Sequence, residues 1–270
     1  MKRTLIRGVG LLVLLTCVVP VAACALQNKL IFFPGPAPTT TPSVVGLAFE
    51  DLRLATSDGC ELGAWWIPCD APRGAVLVCH GNAGSIADRL DIARFLHAHS
   101  MDVLLFDYRG YGTSTGSPNG PGVARDADAA FDWLRARLGA ARVPILAWGE
   151  SLGGAVAAEL ATRRPVDALV LESAFTSLGD VASEHYGWLP VRWILRTKLD
   201  TLDALARLEL PLLVIHGRND GIVPFAHGER LFGAGRGRKV FAVHEGGHND
   251  SGWSRDSTAQ RSVSDFLATL

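Results

Sequence analysis

Short apolar runs alternate with amphipathic stretches along most of the chain, and this alternation predicts both kinds of regular structure. The apolar runs are bounded by turn residues, a pattern typical of buried strands. The strands predicted in this way are Ala75–Cys79, Asp102–Phe106, Val143–Ala147, Ala168–Leu171, Pro211–Ile215 and Val240–Val243. Upstream, Leu52–Leu54 and Leu62–Ile67 flank the turn Ser57-Asp58-Gly59 and predict an antiparallel hairpin.

Between these strands the apolar residues recur every three or four positions, which is the spacing of one helix face. The predicted helices cover residues 85–97, 126–138, 151–162 and 224–232, and a last one ends the chain. The alternation favours an α/β protein with a mostly parallel, twisted sheet covered by helices on both faces. Ligands of such sheets bind beyond the carboxyl ends of the strands, so polar residues found there are candidates for the functional site.

The N-terminus has the composition of a membrane-directed leader. Lys2, Arg3 and Arg7 precede an apolar run from Val9 to Val19, and Val21-Ala22-Ala23-Cys24 is similar to a bacterial lipobox. We therefore predict that residues 1–23 are a lipoprotein signal peptide and that Cys24 carries the lipid. An uncleaved anchor helix over residues 8–26 and ordinary secretory cleavage after Ala23 are the alternatives.

The charge distribution of the leader also predicts where the rest of the chain lies. Positive residues before the apolar run favour a cytoplasmic N-terminus, which places the globular part outside the cytoplasm. In a bacterial host, the predicted location is the cell envelope, with the protein attached by lipid or by a membrane anchor.

Composition and proline content define the domain organisation. The chain has 270 residues, enough for one well-packed domain, and a net charge of −1 with scattered basic residues, which argues against nucleic-acid binding. Four prolines and several threonines in residues 24–43 predict an extended connector. The predicted catalytic domain covers residues 44–270 and includes a short cap at about 173–202.

The cap is unusually apolar for a surface insertion. It contains Trp188, Leu189 and Trp193, which we interpret as a roof over an acyl-binding slot. Ordinary packing of a helix on the core is the alternative interpretation.

Gly149-Glu150-Ser151-Leu152-Gly153 has the pattern G-x-S-x-G between a predicted strand and a predicted helix. Such a sharp turn holds the serine in a strained conformation and directs its hydroxyl into a cleft, while the glycines avoid clashes. Ser151 is therefore the predicted nucleophile.

A serine hydroxyl is a weak nucleophile and needs an adjacent base, which an acid orients. In α/β proteins with a serine at such a strand-to-helix turn, the base follows the last strand and the acid precedes the base in the chain. His248 lies in a glycine-rich loop after the last predicted strand, whereas His244 ends that strand. Asp220 lies in the loop after Pro211–Ile215, and Glu172 is an alternative acid. We predict His248 as the base and Asp220 as the residue that orients it.

Acyl transfer also requires donors to the oxyanion. The backbone N–H of Leu152, at the start of the helix after Ser151, is one predicted donor. The other is the backbone N–H of Asn82, in the loop His80-Gly81-Asn82-Ala83-Gly84 that follows a strand.

His244-Glu245-Gly246-Gly247-His248 also has the H-E-x-x-H pattern of zinc peptidases. That chemistry needs both histidines on one helix face, and two successive glycines disfavour a helix by about 1 kcal/mol each. The prediction is therefore no metal site.

With these motifs, the chain from about residue 29 onward resembles the α/β-hydrolase superfamily. It is most similar to the membrane-anchored branch of esterase- and depalmitoylase-like enzymes, related to the serine aminopeptidase group. The segments that carry the resemblance are Leu30–Pro34, His80–Gly84, Asp107–Gly112, the turn at Ser151, the Asp220 loop and Gly247–Asp250.

We therefore expect an α/β-hydrolase fold and hydrolysis of a small carboxylic ester or thioester through an acyl-enzyme, without metal or organic cofactor. A serine aminopeptidase or amidase is the alternative enzyme. A non-catalytic binding protein on the same fold is the alternative from another class.

Overall fold

The computed structural model describes residues 19–140, 143–250 and 252–270. In this part of the chain, one sheet of eight strands forms the centre of the molecule. Its strands are β1 Glu50–Ala55, β2 Glu61–Ile67, β3 Gly74–Cys79, β4 Met101–Phe106, β5 Ile145–Glu150, β6 Ala168–Glu172, β7 Leu212–Gly217 and β8 Lys239–His244. The helices are α1 Val19–Ile31, α2 Leu90–Ala98, α3 Gly120–Leu138, α4 Leu152–Ala161, α5 Leu178–His185, α6 Val191–Ile194, α7 Thr201–Ala206, α8 Phe225–Ala234, α9 Gly252–Arg255 and α10 Ser257–Ala268.

The strand order across the sheet is β8-β7-β6-β5-β3-β4-β2-β1. Strands β3 to β8 are parallel to one another, whereas β2 runs antiparallel to both β1 and β4. The predicted hairpin and the predicted mostly parallel sheet are therefore confirmed. Register aligns the carboxyl ends of the central strands, since Cys79 is opposite Gly149 and Glu150 is opposite Glu172.

Apolar residues from alternating strand positions pack on opposite faces of the sheet. In β3, Ala75 and Leu77 belong to one hydrophobic cluster and Val76 and Val78 to the other. Helices α3, α4, α7 and α8 contribute to the first cluster, and α2, α9 and α10 to the second. Because both faces are covered, the parallel strands are apolar throughout instead of alternating with polar residues.

Among the six predicted parallel strands, the one before Ser151 differs most from its predicted bounds. The apolar run predicts Val143–Ala147, but β5 covers Ile145–Glu150. Proline at position 144 has no N–H to donate to the ladder, so pairing begins after it. The strand then continues through Gly149 and Glu150, directly up to Ser151.

The prediction of an extended connector at residues 24–43 is wrong for residues 24–34. Its first part is the end of helix α1, and Phe33–Pro34 pairs in parallel with Ala83–Gly84. Ile31 and Phe32 are buried in the core, so the domain begins before the predicted residue 44. Because the first proline of the segment is Pro34, nothing interrupts the helix before Ile31.

The predicted leader lies largely outside the described residues, which begin at Val19. Cys24 is on α1, partly exposed. Among the helices that the structure describes, none is both long enough and apolar enough to cross a bilayer.

Candidate active site

Ser151 is the single residue between the end of β5 and the start of α4. Its backbone has φ 51° and ψ −113°, a left-handed conformation that is strained for a residue with a side chain. The Ser151 N–H donates to the carbonyl of Glu172 at 2.8 Å, which anchors the strained residue to β6. A Cβ on Gly153 would lie 1.9 Å from the carbonyl oxygen of Cys79, so only glycine fits beneath the turn.

The structure brings Ser151, His248 and Asp220 into one line of hydrogen bonds. The distance from Ser151 Oγ to His248 Nε2 is 3.0 Å, and that from His248 Nδ1 to Asp220 Oδ2 is 2.7 Å. With the Asp220 carboxylate as acceptor, His248 donates its Nδ1 proton, which leaves Nε2 as the acceptor for the Ser151 hydroxyl.

The electrostatics of Asp220 keep it ionised. Burial by itself would raise the pKa of Asp220, but hydrogen bonds from His248 and from the backbone amides of Val223 and Ile222 lower it below its ordinary value. Those amides donate to Oδ1 at 2.8 and 2.9 Å, leaving Oδ2 for the imidazole. The loop after β7 therefore holds a fixed negative charge behind His248.

Glu172, the alternative acid, and His244, the other candidate base, lie outside this line of hydrogen bonds. The Glu172 carboxylate is buried and accepts from the indoles of Trp148 at 2.8 Å and Trp253 at 2.6 Å. His244 is buried at the end of β8, where its Nδ1 accepts from the Gly246 N–H at 3.1 Å. Neither residue takes part in the Ser151–His248–Asp220 line.

The H-E-x-x-H segment does not form a helix, because His244 ends a strand and His248 is in the following loop. The two imidazoles consequently have different partners. In the described part of the chain, no group of three or more histidine, cysteine, aspartate or glutamate side chains is arranged to hold a metal ion.

The two predicted oxyanion donors lie beside Ser151. Asn82 and Leu152 line the same cavity as Ser151 and His248. Leu152 is the first residue of α4, where N–H groups have no partner within the helix. The Asn82 carbonyl accepts from the Tyr111 hydroxyl at 2.7 Å and from the Phe33 N–H at 2.8 Å, which fixes its loop.

His80 stabilises the Asn82 loop and remains neutral. Its ring is fully buried, and its Nδ1 donates to the carbonyl of Gly81 at 2.7 Å. Burial, reinforced by the charge of Arg89, lowers the pKa of His80 to about 3. This environment gives His80 a structural role in the loop, with no part in proton transfer.

An apolar cavity of about 540 Å³ opens beside Ser151. Helices α1, α5 and α6 contribute nine of its 21 lining residues. The apolar lining residues are Leu30, Ile31, Ala83, Leu152, Phe175, Leu178, Val181, Ala182, Leu189, Val191, Ile194, Leu195, Ile222 and Val223. Since the cavity is mainly apolar and Ser151 is part of its lining, it can accommodate an acyl chain next to the serine hydroxyl.

Of the three cap residues predicted to bind substrate, only Leu189 lines this cavity. Trp188 and Trp193 are 66% and 92% exposed, so their assignment to the slot is wrong. Helix α6 is a single turn whose residues Val191 and Ile194 face the cavity, and the helical repeat directs Trp193 to the opposite side.

Sequence interpretation also missed the contribution of α1. Gln27, Leu30 and Ile31 line the cavity, although residues 24–43 were predicted to be a connector. The sequence does contain a local indication of this helix, because no proline or glycine interrupts residues 21–33 and several apolar residues recur there.

Comparison with known proteins agrees with this fold. The family model described as serine aminopeptidase, S33, matches residues 70–201. A Mycobacterium tuberculosis protein described as uncharacterised is 44% identical over 83% of this chain and 81% of its own length. The Arabidopsis thaliana α/β-hydrolase domain-containing protein WAV2 is 35% identical over 77% of this chain and 75% of its own.

Two further similarities are more distant or partial. The Xenopus tropicalis lysophosphatidylserine lipase ABHD12 is 35% identical over 58% of this chain and 45% of its own length. The Pyrococcus furiosus esterase Pf2001 superposes with a TM-score of 0.74 at 20% identity, covering 89% of this chain and 98% of that structure. The chain belongs to the α/β-hydrolase family, as its resemblance predicted, and it is a hydrolase.

Proposed function

We propose that this protein is a serine esterase that hydrolyses carboxylic esters or thioesters of an apolar acyl group. The observation that carries the proposal is the hydrogen-bonded line Ser151–His248–Asp220, whose hydroxyl end opens into the apolar cavity. The named activities of the esterase Pf2001 and the lipase ABHD12 support it.

In the proposed reaction the Ser151 Oγ attacks the carbonyl carbon while His248 Nε2 takes the hydroxyl proton. The negative charge of Asp220 stabilises the resulting imidazolium. The N–H groups of Asn82 and Leu152 donate to the oxyanion of the tetrahedral intermediate. His248 then gives its proton to the departing alcohol or thiol, and water, activated by the same histidine, releases the acyl group from Ser151.

An aminopeptidase is the alternative that the family description suggests. Such an enzyme needs a carboxylate near the nucleophile to bind the free ammonium of its substrate. Among the described residues that line the cavity there is no aspartate or glutamate, and the polar ones are amides, hydroxyls and histidines. The lining therefore favours a neutral acyl group.

A fluorophosphonate probe and a graded series of p-nitrophenyl esters test the chemistry. We expect the probe to label the protein and Ser151→Ala to abolish both labelling and turnover. Asp220→Asn should retain the fold and lower kcat by roughly 10⁴-fold, because the wrong histidine tautomer is favoured. Glu172→Asp is the matched control for the alternative acid. Undiminished labelling of Ser151→Ala, or aminoacyl anilides hydrolysed faster than every ester, would contradict the proposal.

We also propose that the leader attaches the protein to the bacterial cell envelope, with the catalytic domain outside the cytoplasm. The cations before the apolar run and the small residues before Cys24 support this proposal. Mass spectrometry of the mature N-terminus tests it. A diacylglyceryl group on Cys24 is expected, an intact Met1 would indicate the uncleaved anchor, and an unmodified chain starting at Cys24 would indicate secretory cleavage.

A further inference from the structure

Exposed apolar side chains lie at the mouth of the cavity and on the cap next to it. Leu30, Tyr186 and Ile222 line the cavity and are nevertheless 62%, 54% and 46% exposed. Trp188 and Trp193 are each adjacent in sequence to a lining residue. We call these five residues, together with Leu26, the apolar rim. Exposed aromatic and aliphatic groups concentrated in this way mark a surface that contacts another apolar phase.

The rim is formed by two segments that are held together. Gln27 of α1 is buried, and its Oε1 accepts from the N–H groups of Arg196 at 2.8 Å and Thr197 at 3.2 Å, just after α6. Leu26 and Leu30, four residues apart on α1, share one face of that helix. Helix α1 is thus docked on the cap, and both contribute to a single apolar surface.

Because α1 is docked on the cap, the chain between the domain and the apolar N-terminal run is short. Cys24 is three residues before Gln27, which is less than one helical turn, or about 5 Å along the axis. The run Val9–Val19 ends where α1 begins. If a lipid or an anchor enters the bilayer at this end of the chain, α1 and the cap are held at the membrane surface.

Exposed cations accompany the rim. Lys29 lies on α1 between Gln27 and Leu30, and Arg196 and Lys198 follow α6. Tryptophans beside lysines and arginines are the composition that proteins place at the boundary between acyl chains and headgroups. Basic residues at that depth are attracted to anionic headgroups.

We infer that the apolar rim docks onto an anionic lipid bilayer, with Trp188 and Trp193 inserted among the acyl chains, so that the cavity mouth opens toward lipid. This inference deepens the proposed function, because a lipid ester would then enter the acyl slot laterally without crossing water. The apolar run that precedes α1 favours a bilayer over a second copy of the chain as the occupant.

Quenching by brominated acyl chains tests the insertion. The full chain is reconstituted into phosphatidylcholine vesicles with and without phosphatidylglycerol, and the tryptophan emission is compared with that in unbrominated lipid. Of the other five tryptophans, Trp65, Trp66, Trp148 and Trp253 are buried and Trp133 is partly buried, so we expect most of the quenched fraction to arise from Trp188 and Trp193. The double variant Trp188→Phe/Trp193→Phe should lose most of the quenching. Equal quenching of wild type and double variant would overturn the inference.

Turnover provides an independent measurement. The double variant Trp188→Ser/Trp193→Ser should lower hydrolysis of a vesicle-embedded monoacyl ester by roughly tenfold, since buried apolar area drives interfacial binding. Its hydrolysis of a water-soluble p-nitrophenyl ester should be unchanged. Val44→Ser is the matched control, because Val44 is 64% exposed but lies outside the rim. Equal losses on both substrates would contradict lipid docking.

The contribution of the exposed cations to membrane docking is tested by the triple variant Lys29→Gln/Arg196→Gln/Lys198→Gln. It should abolish the increase in vesicle hydrolysis caused by phosphatidylglycerol, and an unaltered increase would exclude that contribution. A concentration-dependent dimer in detergent, lost in the tryptophan variants without any lipid quenching, would assign the rim to a second copy instead. If the protein hydrolyses no ester at all, the quenching result still decides the docking, so the two proposals fail separately.

Discussion

Arg89 and Glu150 form a bidentate ion pair that joins the Asn82 loop to the turn at Ser151. Arg89 Nε donates to Glu150 Oε2 at 2.8 Å, and Nη2 donates to Oε1 at 2.9 Å. Arg89 is buried and also donates to the carbonyl of Ala83 at 3.3 Å. Glu150 directly precedes Ser151. Because the two proposed oxyanion donors come from separate segments, this pair holds them at a fixed distance from each other.

Arg89→Lys is therefore expected to impair catalysis more than binding. Lysine retains the charge but cannot reproduce the two parallel hydrogen bonds. We expect kcat for a soluble ester to fall by roughly 10- to 100-fold with KM little changed, as for a small displacement of reacting groups. Arg94→Lys, at an exposed ion pair with Asp91, is the control and should be neutral. A KM effect alone would exclude this positioning role.

Gly153→Ala should prevent formation of the turn at Ser151. Its Cβ would lie 1.9 Å from the Cys79 carbonyl oxygen and 2.6 Å from that of His80, both of them backbone atoms that cannot yield easily. We expect a loss of roughly 3 kcal/mol or more in the free energy of unfolding, measured by urea denaturation.

The control for this substitution is Gly233→Ala on α8, where nothing lies within 4 Å of the added Cβ. That change should be neutral or stabilising by up to about 1 kcal/mol, because alanine favours the helix. Wild-type stability of Gly153→Ala would show that the packing under the turn can relax.

Ala182→Trp should shorten the acyl slot. Ala182 lines the cavity from α5, and an indole there would fill part of the cavity. We expect kcat/KM for long-chain p-nitrophenyl esters to fall by roughly tenfold or more while short-chain esters are retained. Ala136→Trp, at an exposed position of α3, should leave the chain-length profile unchanged. A uniform loss across all chain lengths would contradict the slot.

Glu172 should make folding stability depend on pH. Burial, with the nearby charge of Glu150, raises the pKa of Glu172 to about 7 despite its hydrogen bonds from two indoles. The folded state thus binds this proton more tightly than the unfolded state. Its stabilising contribution is fully present below pH 4.5, the ordinary value, and is lost as the pH rises through about 7.

The corresponding test is urea unfolding of wild type and Glu172→Gln at pH 5 and pH 8. The variant cannot ionise, so its free energy of unfolding should decline less between the two pH values. Burial also raises the pKa of Asp107, to about 7, but that group is present in both proteins. Glu61→Gln, at an exposed position, should keep the wild-type slope; the same slope for Glu172→Gln would mean that Glu172 is ionised throughout.

Local patterns were sufficient to predict the sheet and the residues that meet at its edge. Six apolar runs predicted the parallel strands, and chain order separated His248 from His244 despite the H-E-x-x-H coincidence. These predictions succeed because strand burial and the strand–turn–helix geometry at Ser151 depend on residues close together in sequence. The Arg89–Glu150 pair was not predictable in this way, since 61 residues separate its members.

By itself, the sequence determined the α/β class, the strained turn at Ser151 and the identity of the residues beyond the strand ends. Only the tertiary structure decided which side chains form the acyl slot. The sequence predicts a connector where residues 24–31 of α1 lie, and it predicts slot positions for Trp188 and Trp193, which are exposed. Apolar character alone does not distinguish a side chain that lines a cavity from one that faces outward. That difference depends on how α1 and the cap pack together, through contacts such as Gln27 with Arg196 across 169 residues.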